Sequence, residues 1–334
     1  MTQGIYTLAN DVVYDQLVAL LNSIEVNIGA DFPVCIVAYD GRLDKVRSEI
    51  KNRKNVELLE ERSLYIPWEK FAEEIWQTHP TAFQDWQNRG VKGINRLGMH
   101  YRFLGFDERA PFKQFIYLDA DILILKSLET IFNQLTDNDI VVYDFQYKDP
   151  SHVYDVNSPR LKEVFSEAQL KSDMFCAGMY ASHRGLFPQE QREWLITQLQ
   201  EGDGEILYPS GPDQSILNYM AMKTGSKVNN LSLHIPPEEK TGCCVTSPHF
   251  QRQGDLLYDK GVQLTYLHYI GVSSSAFTRL CAGENLDIPY RELFLDYRYL
   301  HEPENKPHFT GKPKLVNPPP SFSTKVLKKL GLKK

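Results

Sequence analysis

The chain has 334 residues, enough for one large or two small domains with an ample core. Hydrophobic residues make up 42% and charged residues 24%, an ordinary soluble balance, and a net charge of −6 argues against a nucleic-acid-binding face. Cys35, Cys176, Cys243, Cys244 and Cys281 show no paired framework and no CxxC spacing, so free thiols in a reducing compartment are expected. A strand begins almost at the N-terminus, leaving no room for a signal peptide, and no apolar run approaches the roughly 18 residues of a spanning helix. The expectation is a cytoplasmic protein.

The first 145 residues alternate strands and helices. Ile5–Leu8 reads as a strand, followed by a helix with Leu17, Leu20, Leu21 and Ile24 on one stripe. Val34–Ala38 is a buried-type strand that ends at the turn Tyr39-Asp40-Gly41. Leu43–Ile50 reads as a short helix, Val56–Leu59 as a third strand, and Gly93–Phe106 as a helix. Phe115–Leu125 is an apolar strand interrupted by Asp119 and Asp121, and Ile140–Tyr143 is the next strand. This order predicts an α/β fold, a mostly parallel twisted sheet with helices on both faces. Ligands bind such sheets beyond the carboxyl ends of strands, where Asn10, Asp11, Asp40 and the aspartate pair would lie.

Residues 146–262 are less regular, with helices expected at Trp194–Leu199 and Pro212–Met222. From Pro303 onward the chain is proline-rich and reads as an extended tail. Its last stretch, Phe322–Lys334, sets Val326, Leu327, Leu330 and Leu332 among five lysines. That pattern suits either an anionic membrane surface or a solvated end.

Three features carry chemistry. Side chains at i and i+2 of a strand share a face, so Asp119 and Asp121 would project together. Two carboxylates in an apolar run need a positive partner, and Mn²⁺ or Mg²⁺ is the natural one. Ser210-Gly211-Pro212-Asp213-Gln214 opens a helix, with proline at the first position and an acid in the first turn. Leu264–Gly271 reads as a late strand delivering His268, and neutral imidazole is a good ligand for Mn²⁺-like ions.

Taken in order, Asp119-Ala120-Asp121, Phe175-Cys176-Ala177-Gly178, Asp213-Gln214 and His268-Tyr269-Ile270-Gly271 resemble the retaining glycosyltransferases of family 8. That family includes bacterial lipopolysaccharide galactosyltransferases and glycogenin. The resemblance spans roughly residues 4 to 272. It implies a single GT-A domain over 1–300, with a nucleotide half to 145, a sugar and acceptor half to 300, and a tail over 301–334. It further implies a UDP-sugar donor, Mn²⁺ or Mg²⁺ as cofactor, and a glycan, lipid-linked or other hydroxyl acceptor. A lipid-linked acceptor would place the protein peripherally at the inner face of a membrane, through its basic tail.

By the same resemblance Asp119, Asp121 and His268 would hold the metal. Asn10, Asp11, Arg102, Cys176 and Gly271 would contact the nucleotide sugar, and Gln214, Asp213 and Asp144 would serve the reacting sugar. Arg96 competes with Arg102 for the place facing the phosphates. Two departures stand out. Cys176 replaces an asparagine, and a Lys-Pro-Trp element is absent after Gly271, leaving Arg279 as a candidate replacement for its lysine. Other readings are a phosphatase of the haloacid dehalogenase type, a nucleotidyltransferase, and an inactive nucleotide-sugar-binding module. The first lacks Thr or Val two residues after the second acid, where Leu123 stands. The second lacks a glycine-rich phosphate loop between Gly4 and Asp11.

Overall fold

The computed structural model describes residues 2–316. Its strands are β1 (Gln3–Ala9), β2 (Val34–Ala38), β3 (Val56–Leu59), β4 (Gln114–Asp119), β5 (Ile122–Ile124), β6 (Ile140–Val142), β7 (Met179–His183) and β8 (Val228–Asn230). The later ones are β9 (Gln251–Gln253), β10 (Leu256–Asp259), β11 (Val262–Gln263), β12 (Tyr266–His268), β13 (Leu286–Asp287) and β14 (Lys314–Leu315). Helices comprise α1 (Tyr14–Asn27), α2 (Asp44–Ile50), α3 (Arg62–Thr78), α4 (Ala82–Asn88), α5 (Glu129–Gln134) and α6 (Arg160–Val164). They continue with α7 (Glu167–Ser172), α8 (Gln189–Gln200), α9 (Pro212–Lys223), α10 (Leu231–His234), α11 (Ser274–Cys281) and α12 (Arg291–Arg298).

Seven strands form the central sheet in the order β3-β2-β1-β4-β7-β6-β8. β1 is parallel to β2 and β4, β2 to β3, and β6 to β8; β7 alone runs against both of its neighbours. The mostly parallel α/β sheet read from the sequence is therefore present. Every residue of β2 is buried, which is why it reads as an uninterrupted apolar run. Packed against the sheet is a large apolar cluster, and a second gathers around Phe250, Tyr269, Phe277, Phe294 and Tyr297.

Three sequence expectations are corrected. Phe115–Leu125 is not one strand: β4 stops at Asp119, Ala120 and Asp121 turn, and β5 pairs antiparallel with β12 in a separate two-stranded sheet. The two acids thus sit at the end of a strand and in a turn, where their carboxylates stay 22% and 23% exposed. Gly93–Phe106 is helical only over Leu97–Phe106, and there as a 3₁₀ helix. Gly93 and Arg96 both have positive φ, which breaks any helix before Leu97. Nor is the stretch after Pro303 a free tail throughout. Lys314–Leu315 pairs with Leu286–Asp287, and Phe309 and Val316 pack on the second cluster. The amphipathic Phe322–Lys334 segment lies outside the described residues.

One long helix escapes the reading above. In α3, Leu64, Tyr65, Trp68, Phe71, Ala72, Ile75 and Trp76 form one buried face, despite Pro67 within the helix. Fully burying a large apolar side chain is worth about 1.5–3 kcal/mol, so packing outweighs the hydrogen bond that Pro67 removes. Trp76 Nε1 donates to His100 Nε2 at 3.1 Å, and the other ring nitrogen faces Leu97 O at 3.2 Å. The ring is therefore neutral, with its proton on Nδ1. Burial lowers the His100 pKa to about 4.

A pKa below the unfolded value means that stability is intact above pH 6.5 and is lost as pH falls toward 4. Between pH 7 and pH 5 the loss attributable to His100 is about 2 kcal/mol. Urea unfolding of the parent and of His100→Gln at both pH values should show that difference in the parent and not in the variant. Equal pH slopes would remove this assignment.

Candidate functional site

Register brings the site together. Leu8 lies opposite both Val37 and Asp119, so Asn10, Tyr39 and Asp119 emerge at one edge of the sheet, at the carboxyl ends of β1, β2 and β4. β12 lays His268 opposite Ile122, the residue after Asp121, and Tyr269 N donates to Asp121 O at 3.0 Å. Residues 146 and 148 positions apart are thereby fixed against each other through backbone. One ligand atom each from Asp119, Asp121 and His268 falls within 4.8 Å of the others. His268 Nε2 is 3.3 Å from Asp121 Oδ1 and 4.0 Å from Asp119 Oδ2.

Charge in this cluster is balanced from two sides. Burial disfavours a charged His268, but Asp121 and Asp119 outweigh it and raise the pKa to about 9. Burial raises the Asp119 carboxyl above its usual range, while the Arg102 guanidinium opposes the rise. Two carboxylates and an imidazole are an oxygen-rich set that fits Mn²⁺ or Mg²⁺, with a cation taking the place of the His268 proton.

Around the cluster, one short segment, Phe175–Gly178, is bonded to Asp144, Gln214, Arg102 and Asp119. Cys176 N donates to Asp144 Oδ2 (3.1 Å), and Ala177 N donates to Gln214 Oε1 (3.0 Å). Ala177 O accepts from Arg102 Nη1 (2.5 Å), and Gly178 O accepts from Asp119 N (2.8 Å). Asn218, one turn beyond Gln214, anchors the segment by bonding both Phe175 N and Phe175 O at 2.8 Å. Sequence reasoning missed Asn218; its four-residue spacing from Gln214 on a helix was the available signal.

Gly178 is a steric requirement. A Cβ there would lie 2.5 Å from His268 Cε1 and 3.1 Å from Asp119 Oδ2. Gly178→Ala should therefore displace the imidazole, lower Mn²⁺ affinity at least about tenfold and cost about 1–3 kcal/mol of stability. Mn²⁺ titration followed by electron paramagnetic resonance measures the first; unchanged affinity would show that His268 does not need its present position.

Arg102 is not among the residues lining the open space beside Asp119 and Asp121. It is buried, bonded to Asp119 Oδ1 (3.1 Å) and Asp213 Oδ2 (3.0 Å), and stacked over Tyr117, 4.6 Å from the ring centroid. Arg96 instead lines an open cavity of about 450 Å³ with Asn10, Tyr39, Met99, Asp119 and Asp121. The arginine that turns inward, Arg102, and the one that reaches the cavity, Arg96, are thus different residues.

Asn10 lines the cavity, but its amide caps the following turn at Val12 N (3.0 Å) and donates to Asp40 (2.9 Å). Asp11 does not line it; its carboxylate caps α2 through Lys45 N and Val46 N (3.0 and 3.2 Å). Gly271, at φ +81°, turns the chain between β12 and α11. Arg279 sits in the last turn of α11, pairs with Glu284 at 2.7 Å and does not line the cavity.

Asp144 is 5% exposed and accepts from Gln146 N as well as Cys176 N. Burial pushes its carboxyl up to about 7, against those two hydrogen bonds. Gln214 is held at both ends, since its Nε2 also donates to His152 O at 3.1 Å. The five cysteines are free, with Cys243 and Cys244 sulfurs 3.6 Å apart.

No family model and no curated protein matches the chain. Solved structures do. The galactosyltransferase LgtC, in complex with donor and acceptor sugar analogues, is 15% identical and covers 87% of this chain and 99% of its own, at TM-score 0.50. An active-site glutamine-to-glutamate variant of LgtC is similar at 15% identity over 84% and 95%, also at 0.50. The bifunctional glycosyltransferase WbbM is 13% identical over 92% of this chain, which spans only 52% of it, at 0.53. Together these place the chain in the GT-A glycosyltransferase fold.

Proposed function

We propose that the protein is a metal-dependent retaining glycosyltransferase that moves a hexose from a UDP-sugar to a hydroxyl of a glycan or lipid-linked acceptor. The observation that carries this reading is the Asp119–Asp121–His268 cluster at the edge of a nucleotide-sized cavity in a GT-A fold. Residues 1–300 would act as one unit, with 1–145 supplying most of the nucleotide wall and 146–300 the sugar and acceptor side.

A Mn²⁺ or Mg²⁺ ion held by the three ligands would supply Lewis-acid neutralisation of the departing diphosphate. The chain's own residues do the rest. Arg102 ties Asp119 to Asp213, so the metal edge and the sugar edge keep a fixed separation. Asp213 and Asp144 would hold sugar hydroxyls, and an Asp144 carboxyl near pKa 7 can donate or accept a proton at neutral pH. Gln214 is an amide and a poor nucleophile, which favours attack on the leaving-group face over a double displacement. Fixed by Ala177 N and His152 O, it presents a stationary dipole where positive charge develops. That LgtC is represented by an active-site glutamine variant supports reading Gln214 as an active-site group.

The deciding experiment is thermal unfolding with UDP, GDP, CDP or dTDP, each with Mn²⁺ and with EDTA, followed by assays of UDP-sugar hydrolysis. A ligand at 100 times its dissociation constant stabilises by about 2.7 kcal/mol. Stabilisation by UDP only with metal, and slow hydrolysis of one UDP-sugar, is the expected result. Binding without any turnover would make the protein an inactive nucleotide-sugar-binding module.

A further inference from the structure

Two free thiols stand side by side next to the strand that carries His268. Cys243 and Cys244 are consecutive, their sulfurs are 3.6 Å apart, and none of the chemistry above uses them. Cys243 is 3% exposed and belongs to the main apolar cluster, whereas Cys244 is partly open to solvent. A small oxidant therefore reaches Cys244 first and finds a second sulfur close behind it.

The backbone between the two cysteines is bonded to a candidate metal ligand. His268 N donates to Cys243 O at 2.7 Å, Val245 N donates to His268 O at 3.0 Å, and Cys244 lies opposite His268 in a parallel bridge. Cys243 O belongs to the peptide group that joins the two cysteines. Consecutive Cα atoms are about 3.8 Å apart, below the roughly 4.4–6.8 Å that ordinary disulfides span. A bond between these sulfurs, about 2.05 Å long, therefore closes only if that peptide twists. Twisting it turns away the carbonyl that accepts from His268 N.

We propose that Cys243–Cys244 is a site of reversible oxidation by hydroperoxides, and that closing the bond displaces His268 and weakens cation binding. The Cys244 thiolate attacks the hydroperoxide: an S–O bond forms, the O–O bond breaks, and the alkoxide leaves as an alcohol with the proton the thiol released. With hydrogen peroxide the product is water. The Cys243 sulfur then attacks the sulfenic acid; an S–S bond forms, the S–O bond breaks, and hydroxide departs as water with the Cys243 proton. The thiols give up two electrons and the peroxide takes them. A dithiol reverses the step by exchange, readily so because a strained disulfide is the labile kind. Transient disulfides suit a reducing compartment, where structural ones are rare. The thiol site is independent of the nucleotide-sugar reading; its effect on a cation rests on the Asp119–Asp121–His268 cluster.

The test treats the full chain, as parent, Cys243→Ala and Cys244→Ala, with hydrogen peroxide, followed by non-reducing peptide mapping in a mass spectrometer. Mn²⁺ affinity is measured by electron paramagnetic resonance before and after, and again after dithiothreitol. The parent should lose the mass of two hydrogens from the peptide holding both cysteines, and its Mn²⁺ affinity should fall at least about tenfold and then recover. Cys244→Ala should keep parent-like Mn²⁺ affinity throughout, and Cys243→Ala should accumulate a sulfenic acid at Cys244 that dimedone traps.

Oxygen added without a bond in the parent, or a bond from Cys244 to Cys176, would overturn the site. A Cys243–Cys244 bond that leaves Mn²⁺ affinity unchanged would overturn the coupling to His268. A parent that binds no Mn²⁺ at all would end the metal reading, and the nuclear magnetic resonance signal of His268 Cε1–H then decides the coupling. A shift of that signal on oxidation, absent in Cys244→Ala, supports it, and a constant signal overturns it.

Discussion

Asp121→Ala is expected to lose metal-dependent UDP binding by at least about a hundredfold, with stability within about 1 kcal/mol of the parent. The first half follows from the ligand count. Three candidate ligands meet at this position, and Asp121 is the one nearest His268, at 3.3 Å against 4.0 Å for Asp119. Asp119 is also drawn toward Arg102 and Tyr117, which share its Oδ1 at 3.1 and 2.8 Å. Losing Asp121 leaves one committed carboxylate and an imidazole, too few to hold a hard cation against water.

The second half follows from the balance of charge in the metal-free protein. Removing Asp121 ends its attraction to the His268 imidazolium but also ends its repulsion with Asp119. A half-exposed turn position then accepts alanine without a cavity, and Asp121 O keeps its bond from Tyr269 N. Calorimetry with UDP and Mn²⁺ measures the binding, and urea unfolding the stability. Parent-like, metal-dependent UDP affinity in the variant would show that this cluster is not the metal centre.

How much of this was legible beforehand differs from element to element. β2 and α9 were readable because local rules decide them: an unbroken apolar run in one, proline at the first helical position in the other. The aspartate pair announced itself as charge within an apolar stretch. What the sequence hides is non-local pairing. β5 separates from β4 because β12, more than 140 residues later, takes it as a partner, and nothing within Phe115–Leu125 encodes that choice.

The roles of Arg96 and Arg102 were open for the same kind of reason. Six residues separate them, and a regular helix would set one inward and one outward without saying which. The left-handed backbone at Arg96 decides it, by starting the helix only at Leu97. Asp11 was legible as an acid after the first strand, but its bonds from Lys45 N and Val46 N join residues 34 and 35 positions apart, which no local rule encodes. The α3 stripe was present in the sequence at helical spacing and needed only to be counted.

Arg102→Met should be the most damaging single change, with an expected loss of about 3–5 kcal/mol in folding stability. Its side chain is 1% exposed and satisfies Asp119, Asp213, Ala177 O and Met99 O at once. Methionine fills much of the volume, so the cost is electrostatic: Asp213, 7% exposed, is left with no cation, and Asp119 keeps Tyr117, the more distant His268 and a partly solvated face. Lysine should not rescue, since one ammonium cannot reproduce a planar fork shared between two carboxylates and stacked on Tyr117. Neutralising the stranded acid should help more. In urea unfolding, Arg102→Met with Asp213→Asn is therefore expected to recover part of the loss, a non-additivity of about 1–3 kcal/mol between two groups in contact. Arg102→Met unfolding within about 1 kcal/mol of the parent would mean that the arginine is not the counter-charge that Asp119 and Asp213 share.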